Sequence, residues 1–222
     1  NLIYNRENLI LSMKLTILLI IINIMVFFYI APNLEYYVDE YGFEPISFLD
    51  GKYHTIITSL FIHAGVNHLF FNMVSFFLLG PSLEDKVGGF RFLLVYFLGG
   101  MIANLAVFIP PFFSPGVPGV GASGAISALI GLGTFICPGK ITISQYLVPL
   151  PFVVAGALYY LSNALNLFTP SNIGYHVHMV GLIVGSIFGL IWSKNWIKGI
   201  LIFILTLVLI ISLPYILTWI LL

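Results

Sequence analysis

The chain has 222 residues, of which 60% are hydrophobic and only 7% charged. Soluble domains carry about 25% charged residues, so a soluble globular protein is excluded and an integral membrane protein is expected. Eight basic and eight acidic residues leave a net charge of +0, which removes the electrostatic case for a nucleic-acid partner. The single cysteine, Cys137, excludes an intramolecular disulfide and any cysteine-based zinc site.

A helix that crosses a hydrocarbon core of roughly 30 Å needs about 20 apolar residues. The first candidate span is Leu9–Ala31. It is read as retained, being too long for a signal-peptide core and lacking a small-residue cleavage site. In the long loop 32–65, acids at Glu35, Asp39, Glu40, Glu44 and Asp50 alternate with Tyr36, Tyr37, Tyr41 and Phe43, which suits a loop at headgroup level. Within it, Thr55–Ile62 is expected to lie in the outer interface, and the polar break His63–His68 separates it from a second span, Val66–Leu83. Further spans are expected at Phe90–Ile109, Gly121–Cys137, Ile143–Leu161, Asn172–Ser193 and Gly199–Ile220. The fifth span, Ile143–Leu161, carries Pro149 and Pro151 in its interior, where proline breaks the hydrogen-bond ladder, so it is expected to be the mobile one.

With the N-terminus inside, Arg6, Lys14, Lys86, Arg91, Lys140, Lys194 and Lys198 all fall on the inner side and only Lys52 on the outer. The positive-inside rule then gives an N-in, C-out topology.

Polar side chains at membrane depth are costly and ask for a reason. Under this topology the second, fourth and sixth spans all enter from the outer side, and each brings polar residues to similar depth. These are His68 and Asn72 on the second, Ser123 on the fourth, and His176 and His178 on the sixth. The fourth span follows the Pro/Gly-rich stretch "PPFFSPGVPGV" and is short; seventeen residues cover about 25 Å. Ser123 therefore sits at a helix N-terminus, where free N–H groups and the helix dipole favour negative charge. On the sixth span Gly181, Gly185 and Gly189 line one face, and Gly124, Ala128 and Gly131 make a matching face on the fourth. Small faces let two backbones approach closely, which would bring His178 over Ser123. His68 and Asn72, four apart on one helical face, offer donors for a developing alkoxide. No Asp or Glu lies within the second, fourth or sixth span, leaving a Ser–His dyad as the available nucleophile–base pair.

Each feature also has a plainer reading. Gly-x-Ser-Gly by itself favours helix packing, and the glycines of the sixth span need no chemistry at all. His178 alone, or His68 with Asn72, equally fits a buried hydrogen-bonded group. His63 is expected to make a structural hydrogen bond, His176 to face away from His178, His54 to be interfacial, and Cys137 to be a small apolar filler. Serine, histidine and two donors at one depth, with close-packing faces to unite them, favour an enzyme. Two competitors remain. One is a histidine-rich metal-binding or transport protein, against which no carboxylate or thiolate joins the histidines and no His-Glu-x-x-His motif occurs. The other is a catalytically silent protein that binds membrane partners.

"HAGVNHLFFNM", "GASGAISAL" and "HVHMVGLIVG", in that order and spacing, resemble the rhomboid family of intramembrane serine proteases, as does "LEDKVGGFRFLLVYFLGG". The similarity covers about Gly51 to Gly189. It implies an all-α polytopic membrane protein with a six-helix core at 1–193, including the membrane-associated loop 32–65, and an added seventh C-terminal helix at 194–222. It implies Ser123 as nucleophile, His178 as general base, and His68, Asn72 and the Ser123 backbone N–H as the oxyanion hole. Gly121, Gly124 and Gly181 would be supporting residues. The expected partners are transmembrane protein substrates and the lipid bilayer, with neither metal nor cofactor. The expected location is the cell membrane, with the active site open to the extracytoplasmic side. Two departures stand out: Tyr53-His54 replaces the family's frequent Trp-Arg, and Ser127 occupies the position where many members place an aromatic that stacks on the histidine.

Overall fold

The computed structural model describes residues 14–143, 148–169, 171 and 173–221, with side chains described as far as residue 213. Helix α1 (Lys14–Ile30) continues through a short 3-10 turn into α2 (Leu34–Tyr41). The first loop then carries α3 (Pro45–Leu49), α4 (Thr55–Thr58) and a 3-10 turn, Ser59–Phe61. Helices α5 (Val66–Val87), α6 (Gly89–Asn104) and α7 (Ser123–Ile136) follow, then strands β1 (Ile141–Ile143) and β2 (Pro149–Pro151), and finally α8 (Phe152–Leu165), α9 (Tyr175–Trp192) and α10 (Trp196–Leu221). Among the described residues five helical stretches are long and apolar enough to cross a membrane, and two more, Ser123–Ile136 and Phe152–Leu165, are apolar but shorter. The chain is thus a mostly helical, multi-pass membrane protein. Residues 9–13 of the expected first span, and Arg6, lie outside the described residues.

The expected fifth span is corrected. Ile141–Ile143 and Pro149–Pro151 pair as a short antiparallel ladder, with Ile141 opposite Pro151 and Ile143 opposite Pro149. The helix begins only at Phe152. Proline lacks the N–H that a helix interior needs, but a short edge strand or the residue before a helix accepts it. The two prolines therefore precede α8 and do not interrupt it.

Two details concern α5 and the first loop. The second span runs on to Val87, so α5 does contain Glu84 and Asp85. They sit at its far end, about 24 Å along the axis from His68. Glu84 is buried and accepts from the backbone N–H groups of Leu15 and Thr16 (both 2.9 Å) and from the Thr16 hydroxyl (2.7 Å), which satisfies orphan donors at the start of α1. The segment Thr55–Ile62 turns much of its surface into the protein, with Ile57 left exposed. Thr55, Ser59, Leu60 and Ile62 are all buried, and Leu60 packs into the space left by Gly100.

Lipid tails are as apolar as leucine, so close packing and hydrogen bonds hold such a bundle together. Helix α7 lies at its centre, with every residue from Gly124 to Phe135 buried. On one side Gly99 faces the Ala128 side chain, and a Cβ on Gly124 would meet that of Ala103 at 3.0 Å. On the other, Gly181 and Gly185 lie against the carbonyl oxygens of Gly124 and Ala128, and a Cβ on Gly189 would lie 2.9 Å from that of Leu132. Gly131 returns the contact against the Leu182 carbonyl. The two stripes read from the sequence thus meet backbone to backbone.

The first loop is tied to the loop before α7. Phe43 and Gly119 exchange backbone hydrogen bonds of 2.8 and 2.9 Å. The Glu44 carboxylate accepts from the N–H groups of Ile46 (3.1 Å), Ser47 (2.6 Å) and Gly116 (3.0 Å). Burial alone would raise this carboxyl, but those backbone donors outweigh it and bring it from the usual 4.5 down to about 2. Asn104 Nδ2 donates to the Ile56 carbonyl (3.1 Å) and the Ser59 hydroxyl (2.9 Å). These contacts anchor the loop although Tyr53 and His54 themselves remain exposed.

Candidate active site

Helix α7 starts at Ser123, and its N-cap, Ala122, has no side-chain acceptor for the first-turn N–H groups. Uncapped amides at a helix N-terminus are anion-binding groups. Ser123 Oγ lies 2.9 Å from Nε2 of His178 on α9, and both residues are half-buried. The close α7–α9 seam, with Gly181 less than one turn beyond His178, accounts for this proximity.

The other ring nitrogen, Nδ1, lies 3.2 Å from Asn163 Oδ1 on α8. The Asn163 amide is oriented by its second contact, since Nδ2 donates to the Tyr159 carbonyl at 2.8 Å. Its oxygen must then be the atom facing the imidazole, so Nδ1 carries the proton. Nε2 is left with its lone pair toward the serine hydroxyl, the tautomer a general base needs.

The Tyr159 ring is stacked on His178, with centroids 6.1 Å apart and planes inclined by 27°. Ser127 spends its proton on the Ser123 carbonyl (2.7 Å), so the Tyr159 hydroxyl donates in the 3.1 Å contact between the two. The aromatic missing at Ser127 is thus supplied from α8, and Ser127 positions it. The sequence reading did not find Asn163 or Tyr159. Their signal was present in "ALYYLSNAL", where the two stand four apart and so share a helical face.

His68 and Asn72 come from the first turns of α5. The Ala64 N–H donates to His68 Nδ1 in a long 3.4 Å bond, which leaves Nε2–H as the donor of a neutral ring. That edge lies against Gly121, where a Cβ would come within 2.7 Å of Nε2. Gly121 also has φ +116°, a conformation side-chain-bearing residues rarely adopt, so both space and backbone demand glycine there. Asn72 is buried, and its Nδ2 donates one proton to the His68 carbonyl at 2.8 Å. One amide proton remains.

The remaining histidines stand apart from the Ser123–His178 pair. His176 stacks on Phe112, with centroids 4.8 Å apart, and His54 is edge-on to Tyr41. His63 is fully buried beside the Phe61 backbone, and its ring stands edge-on to His68 at 5.1 Å. Among the described residues no three His, Cys, Asp or Glu side chains gather as a metal site would need.

Residues 50–195 match the model of the Rhomboid domain. The chain is 28% identical over 168 residues to RHOMBOID-like protein 12, mitochondrial, of Arabidopsis thaliana, covering 68% of this chain and 50% of that protein. It is 31% identical over 121 residues to Rhomboid protease GluP of Bacillus subtilis (strain 168), covering 52% of this chain and 23% of that one. The chain thus spans half or less of the length of these relatives. With the domain match extending over well more than half of its residues, the chain belongs to the rhomboid family, a family with named proteases among its members.

Proposed function

We propose that this chain is an intramembrane serine endopeptidase that cleaves transmembrane segments of other membrane proteins through a Ser123–His178 dyad. The observation that carries the reading is the 2.9 Å contact between His178 Nε2 and Ser123 Oγ at an uncapped helix N-terminus. His178 takes the Ser123 proton as Oγ attacks the scissile carbonyl, and the imidazolium returns that proton to the leaving amine. Water then enters by the same base and resolves the acyl-enzyme, freeing Ser123. The oxyanion is met by the Ser123 backbone N–H, the remaining Asn72 amide proton and His68 Nε2–H, each worth roughly 3 kcal/mol. Asn163 and Tyr159 act through His178: one fixes its tautomer, the other its plane. Asn163 is neutral, so it orients the ring without offering the counter-charge a carboxylate would.

The catalytic unit is 1–193, a six-helix core that includes loop 32–65, and 194–222 is an additional C-terminal membrane helix. The orientation is N-in, C-out in the cell membrane, with the dyad toward the extracytoplasmic side. Support comes from the distribution of cations. Lys52 lies in the loop bound to the Ser123 end, whereas Lys86, Arg91, Lys194 and Lys198 gather with Ile136 at the opposite end of α7.

The test is cleavage of single-span substrates in liposomes by wild type, Ser123→Ala and His178→Ala, with and without chelator. Both variants should lose activity by roughly 10⁴-fold or more while staying folded, and chelator should change nothing. Turnover surviving in Ser123→Ala would return Gly-x-Ser-Gly to helix packing.

A further inference from the structure

At the end of the bundle away from Ser123 lies a cavity of about 450 Å³. Four cations line it: Lys86 from the end of α5, Arg91 from the first turn of α6, and Lys194 and Lys198 from the junction of α9 and α10. Among the described residues no carboxylate lines it. Glu84, two residues before Lys86, is engaged by α1, and among the described residues the ion pair found is Lys52–Glu40, at the other end. The Arg91 guanidinium lies over the Trp192 ring, 5.1 Å from its centroid, which holds that charge at the cavity wall. Asn195 and Lys198 bracket the start of α10, so a helix N-terminus adds its favourable field for an anion.

The four side chains are exposed, yet they reach one concavity from three separate segments, so an anion seated there would meet several cations at once. The far wall is apolar, formed by Phe135, Ile136 and Ile202. Beyond it, Leu201, Leu205 and Leu209 on α10 are 56, 62 and 64% exposed. A polar, cationic floor beside an apolar, outward-facing helix suits a molecule with a phosphate at one end and hydrocarbon at the other.

We propose that this cavity binds the phosphate headgroup of an anionic phospholipid, its acyl chains running along α10. Basic pockets between membrane helices hold such headgroups by the same chemistry. The bound lipid would bridge α5, α6 and α9 to α10, a helix otherwise joined to the core through contacts such as Phe203 with Phe135 and Tyr160. The site does not depend on the dyad. Only its assignment to the inner leaflet rests on the topology proposed above.

The experiment uses the full chain carrying Ser123→Ala, purified in neutral detergent and stripped of lipid. Phosphatidylglycerol, phosphatidylcholine or inorganic phosphate is then added, and thermal unfolding and bound lipid by native mass spectrometry are followed. Phosphatidylglycerol should be retained about tenfold over phosphatidylcholine and should raise the Tm, while inorganic phosphate should not. The variant Lys194→Gln/Lys198→Gln should lose that retention, and Lys194→Arg/Lys198→Arg, which keeps charge and reach, should preserve it. Equal retention of the two lipids by the unsubstituted cavity, or undiminished retention in the glutamine variant, would overturn the proposal. So would a Tm rise given by inorganic phosphate alone, which would make this a site for soluble anions.

Discussion

The two seams that meet at His178 are built differently. Between α7 and α9 the contact is backbone on backbone: Gly181, Gly185 and Gly189 lie against successive carbonyls of α7. Between α8 and its neighbours, around the site, polar side-chain tips meet, as in Ser127 with Tyr159, Tyr160 with Ser186 (2.8 Å), and His178 with Asn163. The first seam sets how far the serine is from the histidine. The second sets which nitrogen faces it and in what plane. Distance is thus held by the stiffest material available, and orientation by groups that a single rotamer change would disconnect.

Breaking the first seam should have the largest effect. Gly185→Val puts branched carbons where the Ala128 carbonyl already lies; overpacking of this kind costs about 1–3 kcal/mol or more. The expected result is a fall in Tm of several degrees together with loss of cleavage, read by thermal unfolding and a substrate assay on one preparation. A variant with both properties intact would mean the seam does not set the dyad distance. His68→Ala and Asn72→Ala touch neither seam, and each should lower kcat by roughly 10²- to 10³-fold at unchanged Tm. Asn163→Leu cuts the second seam alone. It should lower kcat about ten- to a hundredfold with KM and Tm little altered, whereas a change confined to KM would remove Asn163 from the orientation of His178.

The smallest effect belongs to a contact remote from both seams. Glu44 titrates at about 2 when folded and near 4.5 when unfolded. Its depressed value means that it stabilises the fold above pH 4.5 and that the contribution is lost as pH falls toward 2. Glu44→Gln should lower Tm modestly at neutral pH and flatten the acid limb of a Tm-against-pH curve between those values. Parallel curves for the two proteins would show that the Ile46, Ser47 and Gly116 donors do not act on the charged form.

The contrast between the seams also explains what could be read beforehand. The approach of Ser123 to His178 was legible because glycines at intervals of four define a helical face directly, and the serine's place followed from the Pro/Gly stretch ahead of it. The second seam left no comparable trace. A tyrosine that stacks on a histidine nineteen residues away, across a loop, has no fixed spacing from it. Once Ser127 stood where an aromatic was expected, nothing in the pattern pointed to Tyr159. The error at the fifth span has another cause. Apolar length alone cannot tell one long helix from a hairpin followed by a shorter one, and the β-branched run Ile141, Thr142, Ile143 with two prolines was the better guide. The inward packing of Thr55, Ser59, Leu60 and Ile62 was hidden for a similar reason, since an apolar segment reads alike whether it meets lipid or Gly100.

That hairpin has a mechanical consequence. The Phe152 N–H bonds the Lys140 carbonyl and the Val153 N–H that of Pro138, both at 3.0 Å, so the first turn of α8 is fastened to the chain leaving α7. Asn163 stands eleven residues along, about 16 Å from this fulcrum. A lean of roughly 5° there would carry its amide about 1.4 Å sideways, enough to lift Oδ1 off the imidazole. Helix α8 is in this sense a pointer pivoted at its far end, and the proton on His178 Nδ1 registers its angle.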